Sequence, residues 1–141
     1  MRRHRASASV LAGLLVVAAA TPARGASPDA LCRVTSWASP QQLTPGASAT
    51  VFFLLQPQAG AKLAAHAPLR VGLDARNFSL TKTELSHADA VVRDGGTLLA
   101  AKVKAERPGR ATLRARLLFY ICTRSACTRQ TRQLDLALMV R

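Results

Sequence analysis

Residues 111–140 read ATLRARLLFYICTRSACTRQTRQLDLALMV, and two apolar alternations flank the short segment TRSA at 123–126. Before this segment the apolar side chains occupy odd positions over 113–121, and after it they occupy even positions over 134–140. Alternation with a period of two is the pattern of a β-strand that buries one face. The stretch therefore predicts a long β-hairpin with a four-residue loop, whose strands turn one face towards a core.

The chain before this hairpin contains shorter strand-like runs separated by proline and glycine. These runs are 50–55, 69–73, 78–83 and 98–105. Strands spaced about ten residues apart, without a long amphipathic helix between them, are typical of an antiparallel sandwich. We therefore predict an all-β fold, an antiparallel immunoglobulin-like β-sandwich. A helical fold is the alternative, but its best segment, 59–67, is bounded by Pro57 and Pro68.

The N-terminal region has the pattern of a cleavable secretory signal peptide over residues 1–25. A basic run, MRRHR, precedes about fifteen small and apolar residues, and small residues suit cleavage after Gly25. A retained membrane anchor is the alternative, although a transmembrane helix needs roughly twenty apolar residues. Residues 26–44 are predicted to be a lead-in segment or a weak first strand, and the sandwich domain follows at 45–141. The sequence thus predicts a periplasmic or secreted protein with no integral membrane segment after cleavage.

Composition disfavours most enzyme classes. The chain has 141 residues, of which 49% are hydrophobic and 4% aromatic, enough for one small domain. Three cysteines, three histidines and seven acidic residues leave little for a metal site or a carboxylate-based hydrolase. The sequence also has no phosphate-binding loop and no nucleophile elbow. We predict no cofactor and no metal, with zinc bound by His66, His87 and two cysteines as a weak alternative.

The two cysteines of the hairpin belong to the outward-facing positions of their strands. With a loop at 123–126, Cys122 and Cys127 lie directly opposite each other, with Cβ atoms about 4.5–5.5 Å apart. That separation is close to the reach of a disulfide. A bridge that closes six residues stabilises the fold by only about 2 kcal/mol, so it is a poor staple. An exposed short-loop bridge is readily reducible, and a passive bridge remains the alternative.

Arginines surround this pair in the sequence. Positive charge stabilises a thiolate and makes it a better leaving group in thiol-disulfide exchange. Candidate thiolate-stabilising residues within the two strands and their loop are Arg114, Arg116, Arg124 and Arg129. We predict that Cys122, which shares a strand face with the first two, is the sulfur that a partner attacks.

The segment FYICTRSAC at 119–127 resembles the cysteine hairpin of the N-terminal periplasmic domain of the thiol:disulfide interchange protein DsbD. The segment HAPLRV at 66–71 is similar to the entry into a strand of that family, and the likeness spans roughly 44–140. The resemblance implies an immunoglobulin-like sandwich in which Cys122 and Cys127 form the redox pair. It also implies exchange through a mixed disulfide with the cysteines of a thioredoxin-like or other thiol-disulfide partner protein.

An interaction module is the alternative function. Basic residues outnumber acidic ones by 20 to 7, a formal net charge of +13 that falls to +9 once residues 1–25 are removed. Such an excess suits either a solvated basic surface or an arginine-rich face that binds an anionic surface. Apart from Tyr120, the basic segments lack the aromatic residues that stack on bases, so we predict no specific nucleic-acid partner. Cys32 is left as a thiol, an intermolecular disulfide or a neighbour of the hairpin.

Overall fold

The structure, a computed structural model, describes residues 30–141, so the predicted signal peptide lies outside the described residues. The described chain forms eleven strands, with a short 3-10 turn at His87–Asp89. The strands are β1 Cys32–Ser39, β2 Gln42–Leu43, β3 Ser48–Pro57, β4 Lys62–Leu63, β5 Arg70–Arg76, β6 Phe78–Leu80, β7 Glu84–Leu85, β8 Ala90–Arg93, β9 Gly96–Ala105, β10 Gly109–Cys122 and β11 Cys127–Val140.

These strands form two sheets. The first has the order β1-β3-β9-β6, with β8 also paired to β9; the second has the order β2-β11-β10-β5-β7, with β4 also paired to β10. Every pairing is antiparallel except that of the short β2 with β11. Two packed antiparallel sheets, with the chain passing from one sheet to the other between strands, are the immunoglobulin-like arrangement. The predicted all-β sandwich is therefore confirmed.

The core lies between the sheets and follows the predicted alternation. All odd positions of β10 from Ala111 to Ile121 are buried, and the even positions face outwards. In β3 the odd positions Val51, Phe53 and Leu55 are buried in the same way. Burying one face of each strand fixes the register, because a slip by one residue would expose the whole apolar set.

The first strand belongs fully to the sandwich. β1 pairs with β3 over eight residues, from Cys32 opposite Pro57 to Ser39 opposite Thr50. β1 is therefore a full member of the first sheet, although it precedes residue 45 in the chain. As an edge strand, β1 buries only Cys32 and Ala38 among its eight residues.

The predicted strand over 78–83 is shorter than expected because the chain enters the first sheet at Phe78 and returns to the second sheet at β7. Asn77 has a positive φ of 61°, a conformation that asparagine tolerates better than most residues, between β5 in one sheet and β6 in the other. The Asn77 side-chain amide donates to the backbone oxygen of Arg107 at 2.8 Å, and its oxygen accepts from the Arg107 N–H at 3.0 Å. These bonds hold the crossing, and β6 ends at Leu80.

β11 is an edge strand over most of its length. It pairs with β10 along all 14 residues, whereas β2 pairs with it only at Met139 and Val140. Its inward positions are less buried than those of β10: Leu138 is buried, but Leu134 and Leu136 are only half-buried. The hairpin is therefore anchored in the core mainly through β10.

Candidate functional site: the disulfide hairpin

Cys122 and Cys127 are joined by a disulfide at the end of the β10–β11 hairpin. They face each other directly in the strand register, with Cα atoms 3.9 Å apart. The Thr123 N–H donates to the Ala126 carbonyl at 2.8 Å, and the Thr123 hydroxyl donates to the same oxygen at 3.3 Å. The predicted loop and the predicted opposition of the two cysteines are both confirmed.

The disulfide lies on the outer surface of the domain. Cys127 and residues 124–126 are exposed, and Cys122 is half-buried. The neighbouring Ile121 points the other way and is fully buried, which anchors the end of β10 in the core. The two sulfurs are thus held on a rigid strand end while they remain within reach of another protein.

A third strand brings a lysine to the pair. The two-residue strand β4 places Lys62 directly opposite Cys122 and Leu63 opposite Ile121. Directly opposed residues of an antiparallel pair project from the same face of the sheet. The exposed Lys62 therefore shares a face with both sulfurs, and the row Lys62, Cys122, Cys127 crosses three strands. Sequence reasoning missed Lys62 because two residues carry no readable periodicity.

This placement predicts an electrostatic role for Lys62. At about 6 Å in water, one positive charge stabilises a thiolate by about 0.7 kcal/mol, which corresponds to a factor of about 3 in rate. We expect Lys62→Gln to slow reduction of the disulfide by a neutral dithiol about threefold at pH 7, measured from the fraction of reduced protein in acid-quenched samples. Lys104→Gln, in the other sheet, should leave the rate unchanged, and equal rates for wild type and Lys62→Gln would contradict the role.

The four predicted thiolate-stabilising arginines separate into two pairs. Arg124 lies in the loop. Arg129 lies opposite Tyr120, two residues along the strand from the disulfide and therefore about 7 Å from it on the same face. Arg114 and Arg116 lie eight and six residues before Cys122, about 26 and 20 Å away along an extended strand. Exposed charges at such distances are screened, since the Debye length is about 8 Å at physiological salt. The strand thus carries Arg114 and Arg116 away from the sulfurs.

Arg114 has a different partner. Its Nε donates to Asp135 Oδ1 at 2.8 Å across the β10–β11 pair. The hydrogen bond to Asp135 raises the pKa of the Arg114 guanidinium, so this side chain stays charged. Asp74 lies on the other side of Arg114 in the register. Two carboxylates therefore flank Arg114 at a distance from the hairpin tip.

Arg132, also close to the cysteines in sequence, points inwards. Its Nη2 donates to the Cys32 carbonyl at 3.3 Å, and its Nη1 donates to the Thr131 carbonyl at 2.9 Å and to Gln130 Oε1 at 3.1 Å. Its guanidinium lies 5.6 Å from the centre of the Phe119 ring, within cation–π range. Arg132 thus links β11 to β1 of the opposite sheet.

Cys32 sits in the core as a buried thiol. Its sulfur donates a weak hydrogen bond to the Arg33 carbonyl at 3.7 Å, and its side chain is 0% exposed. Such burial prevents the intermolecular disulfide that the sequence left open. The candidate redox pair therefore consists of Cys122 and Cys127 alone.

His87 bonds to the backbone rather than to the cysteines. The ring Nε2 of His87 lies 2.7 Å from the Ala67 carbonyl, a hydrogen bond that ties the 3-10 turn to the loop before β5. Across residues 30–141, no group of three or more histidine, cysteine, aspartate or glutamate side chains is placed to hold a metal. Within the same residues, no helix is long and apolar enough to cross a membrane.

The chain matches no protein-family model and no curated protein. Two solved structures show a weak similarity. AggA, the major subunit of aggregative adherence fimbriae type I from Escherichia coli, is 13% identical over 78% of this chain and 95% of its own, with a TM-score of 0.41. The ASH/PapD-like domain 7 of human CEP192 is 9% identical over 92% and 97%, with a TM-score of 0.38. The immunoglobulin-like fold rests on the strand order itself.

Proposed function

We propose that this protein is an exported thiol-disulfide exchange domain that passes electrons through Cys122 and Cys127. The observation that carries the proposal is the disulfide itself, which joins the two cysteines on the outer surface of an exposed hairpin end. A bridge in that position contributes little to the core, and its sulfurs are accessible to a partner's thiolate. An intramolecular disulfide also suits an oxidising compartment, which supports a periplasmic or secreted location.

The exposures suggest which sulfur reacts first. In the reductive direction, a partner thiolate attacks Sγ of the exposed Cys127, and the Cys122–Cys127 bond breaks with Cys122 leaving as a thiolate beside Lys62. A mixed disulfide then joins Cys127 to the partner. We prefer this order to attack on Cys122, because Cys127 is the more exposed of the two and Lys62 lies beside Cys122.

The second step completes the transfer. A second thiolate of the partner attacks the partner's own sulfur in the mixed disulfide, and Cys127 leaves as a thiolate. The partner gains a disulfide and loses two electrons, while this domain gains two thiolates that take up protons from water. In the opposite direction, the same steps oxidise the domain and reduce the partner.

This cycle requires the domain to stay folded when the pair is reduced. Breaking a six-residue loop closure costs about 2 kcal/mol, a fraction of the 5–15 kcal/mol typical of a domain. We therefore expect Cys122→Ser/Cys127→Ser to lower the free energy of unfolding by about 2 kcal/mol and to keep the β-sheet circular dichroism spectrum. Urea unfolding measures the difference, and a variant that is unfolded in buffer would exclude the cycle.

The proposal is tested by the reduction potential of the pair and by trapping of the mixed disulfide. In glutathione redox buffers we expect a potential above about −300 mV, since structural disulfides lie below that value. A thioredoxin-like partner whose second cysteine is replaced by serine should remain bonded to Cys127, as read by peptide mass spectrometry. A potential below −300 mV together with the absence of any mixed disulfide would overturn the proposal.

A second candidate, a disulfide-stabilised interaction module for an anionic surface, is favoured by the outer face of the β5–β10–β11 sheet. Exposed arginines on that face are Arg70, Arg76, Arg110, Arg114, Arg116 and Arg129. This candidate predicts salt-sensitive retention on an anionic matrix that survives replacement of both cysteines by serine. Retention equal to that on a neutral matrix would exclude it.

A further inference from the structure

We propose that the exchange partner presents an acidic surface around its cysteines, and that a cationic strip beside the disulfide recognises it. We define the cationic strip as Lys62, Arg70, Arg124 and Arg129, all exposed. This inference rests on the proposed function, since it names the kind of partner that would reach the same two sulfurs. The strip is a feature of the folded protein, because its members come from β4, β5, the hairpin loop and β11.

The strand register places three members of the strip on the face that carries the sulfurs. Lys62 is in the disulfide row, opposite Cys122. The next same-face row pairs Tyr120 with Arg129, and the row after that contains Arg70 opposite Leu118. Leu118 precedes Cys122 by four residues, so these rows span about 13 Å. Arg124 projects from the loop beyond the disulfide, and the sulfurs therefore lie within a cationic surface.

The acidic residues of the described chain lie elsewhere. Asp74 and Asp135 flank Arg114, about 26 Å from the sulfurs along β10, and Glu84 lies opposite Gly72 at the sheet edge. The remaining three are Asp89, which pairs with Lys82, Asp94 in the β8–β9 turn, and Glu106 after β9. None of the six described carboxylates lies in the three rows of the outer sheet face nearest the disulfide.

The charge pattern separates two ends of one face. At the far end, carboxylates compensate the arginines, whereas positive charge is uncompensated at the end that holds the reactive bond. Uncompensated charge around a site raises the association rate of oppositely charged partners and lowers that of partners with the same charge. This electrostatic attraction acts over about one Debye length, so it affects a partner that docks at the sulfurs. The attraction becomes weaker as the salt concentration rises.

The experiment uses three synthetic dithiol peptides with the same Cys-Gly-Pro-Cys centre and four flanking glutamates, glutamines or lysines. Each peptide reduces the Cys122–Cys127 disulfide of the mature protein, and quenched samples are resolved by chromatography. Each rate is divided by the rate of the same peptide with hydroxyethyl disulfide, a neutral substrate, which removes differences in thiol acidity. At 20 mM salt we expect the glutamate peptide to react at least tenfold faster than the lysine peptide, and at 500 mM salt less than threefold faster.

Matched variants locate the effect. Arg70→Glu/Arg129→Glu reverses two charges of the cationic strip and should abolish the preference for the glutamate peptide. Arg110→Glu/Arg76→Glu reverses two charges at the far end of the same face and should keep it. All four positions are exposed. If the charge-reversed variant folds poorly, Arg70→Gln/Arg129→Gln replaces it in the test, and we expect an intermediate preference from it.

The outcomes separate the two proposals. Equal normalised rates for the three peptides, or equal losses in the near and far variants, would overturn the acidic partner and leave the exchange reaction standing. The neutral glutamine peptide tests the exchange function itself. If it reduces the Cys122–Cys127 disulfide much more slowly than it reduces hydroxyethyl disulfide, that result would count against exchange. A preference for the glutamate peptide that disappears only in the near variant supports both.

Discussion

Replacing Phe119 with alanine is expected to destabilise the domain by about 3–5 kcal/mol, a large part of the stability of a typical domain. Phe119 is fully buried on β10, three residues before Cys122, and its ring lies under the guanidinium of Arg132. Removing the ring leaves a cavity between the sheets and also removes the cation–π contact. Urea unfolding of the oxidised protein would measure the change. We expect the slope of the unfolding free energy against urea concentration to stay the same.

Phe52→Ala is the matched control for Phe119→Ala. Phe52 lies on β3 but faces outwards, half-buried, and stacks on Trp37 with ring centres 5.3 Å apart. The same chemical change there should cost about 1–2 kcal/mol, because part of the ring is already in water. Equal losses at the two positions would contradict the assignment of Phe119, rather than Phe52, to the core under the hairpin.

Arg132→Met is expected to destabilise the domain by about 2 kcal/mol, although methionine replaces the buried part of the side chain well. The substitution removes the charged hydrogen bond to the Cys32 carbonyl that joins the two sheets, and such bonds contribute about 1.5–3 kcal/mol. It also removes an inward-pointing charge from an exposed edge strand, one of the devices that prevent edge-to-edge association. We therefore expect concentration-dependent self-association as well, measured by sedimentation velocity.

Arg116→Met is the control for Arg132→Met. Arg116 is exposed on the outer face of β10, and an exposed surface substitution changes stability by no more than about 0.5 kcal/mol. An Arg132→Met protein that is as stable as wild type and remains monomeric at high concentration would show that the inward arginine neither joins the sheets nor protects the edge.

The features of the candidate site that depend on neighbouring residues in the sequence were predictable. The alternation of 111–140 determined which faces of β10 and β11 are buried, and parity alone placed Cys122 and Cys127 on the outer face. The four residues between them determined their opposition, since the loop length sets the register of a hairpin. Face and register are properties of adjacent residues, so a sequence contains them.

Other features depended on contacts between distant parts of the chain. Nearness in sequence put Arg114 and Arg116 in the predicted site, but an extended strand adds about 3.3 Å per residue and separates them from the sulfurs. Arg132 follows the inward parity of Leu134, yet nothing local says that it would reach the Cys32 carbonyl, one hundred residues away.

The sequence by itself thus determined a β-sandwich with a disulfide hairpin and the outward direction of both sulfurs. Only the tertiary structure decided what surrounds those sulfurs: Lys62 next to Cys122, Arg70 two rows away, and Asp74 and Asp135 far along the sheet. The physical reason is that alternation specifies which face of a strand a residue occupies. Which other strand lies beside it is decided by long-range pairing and by the packing of the whole core.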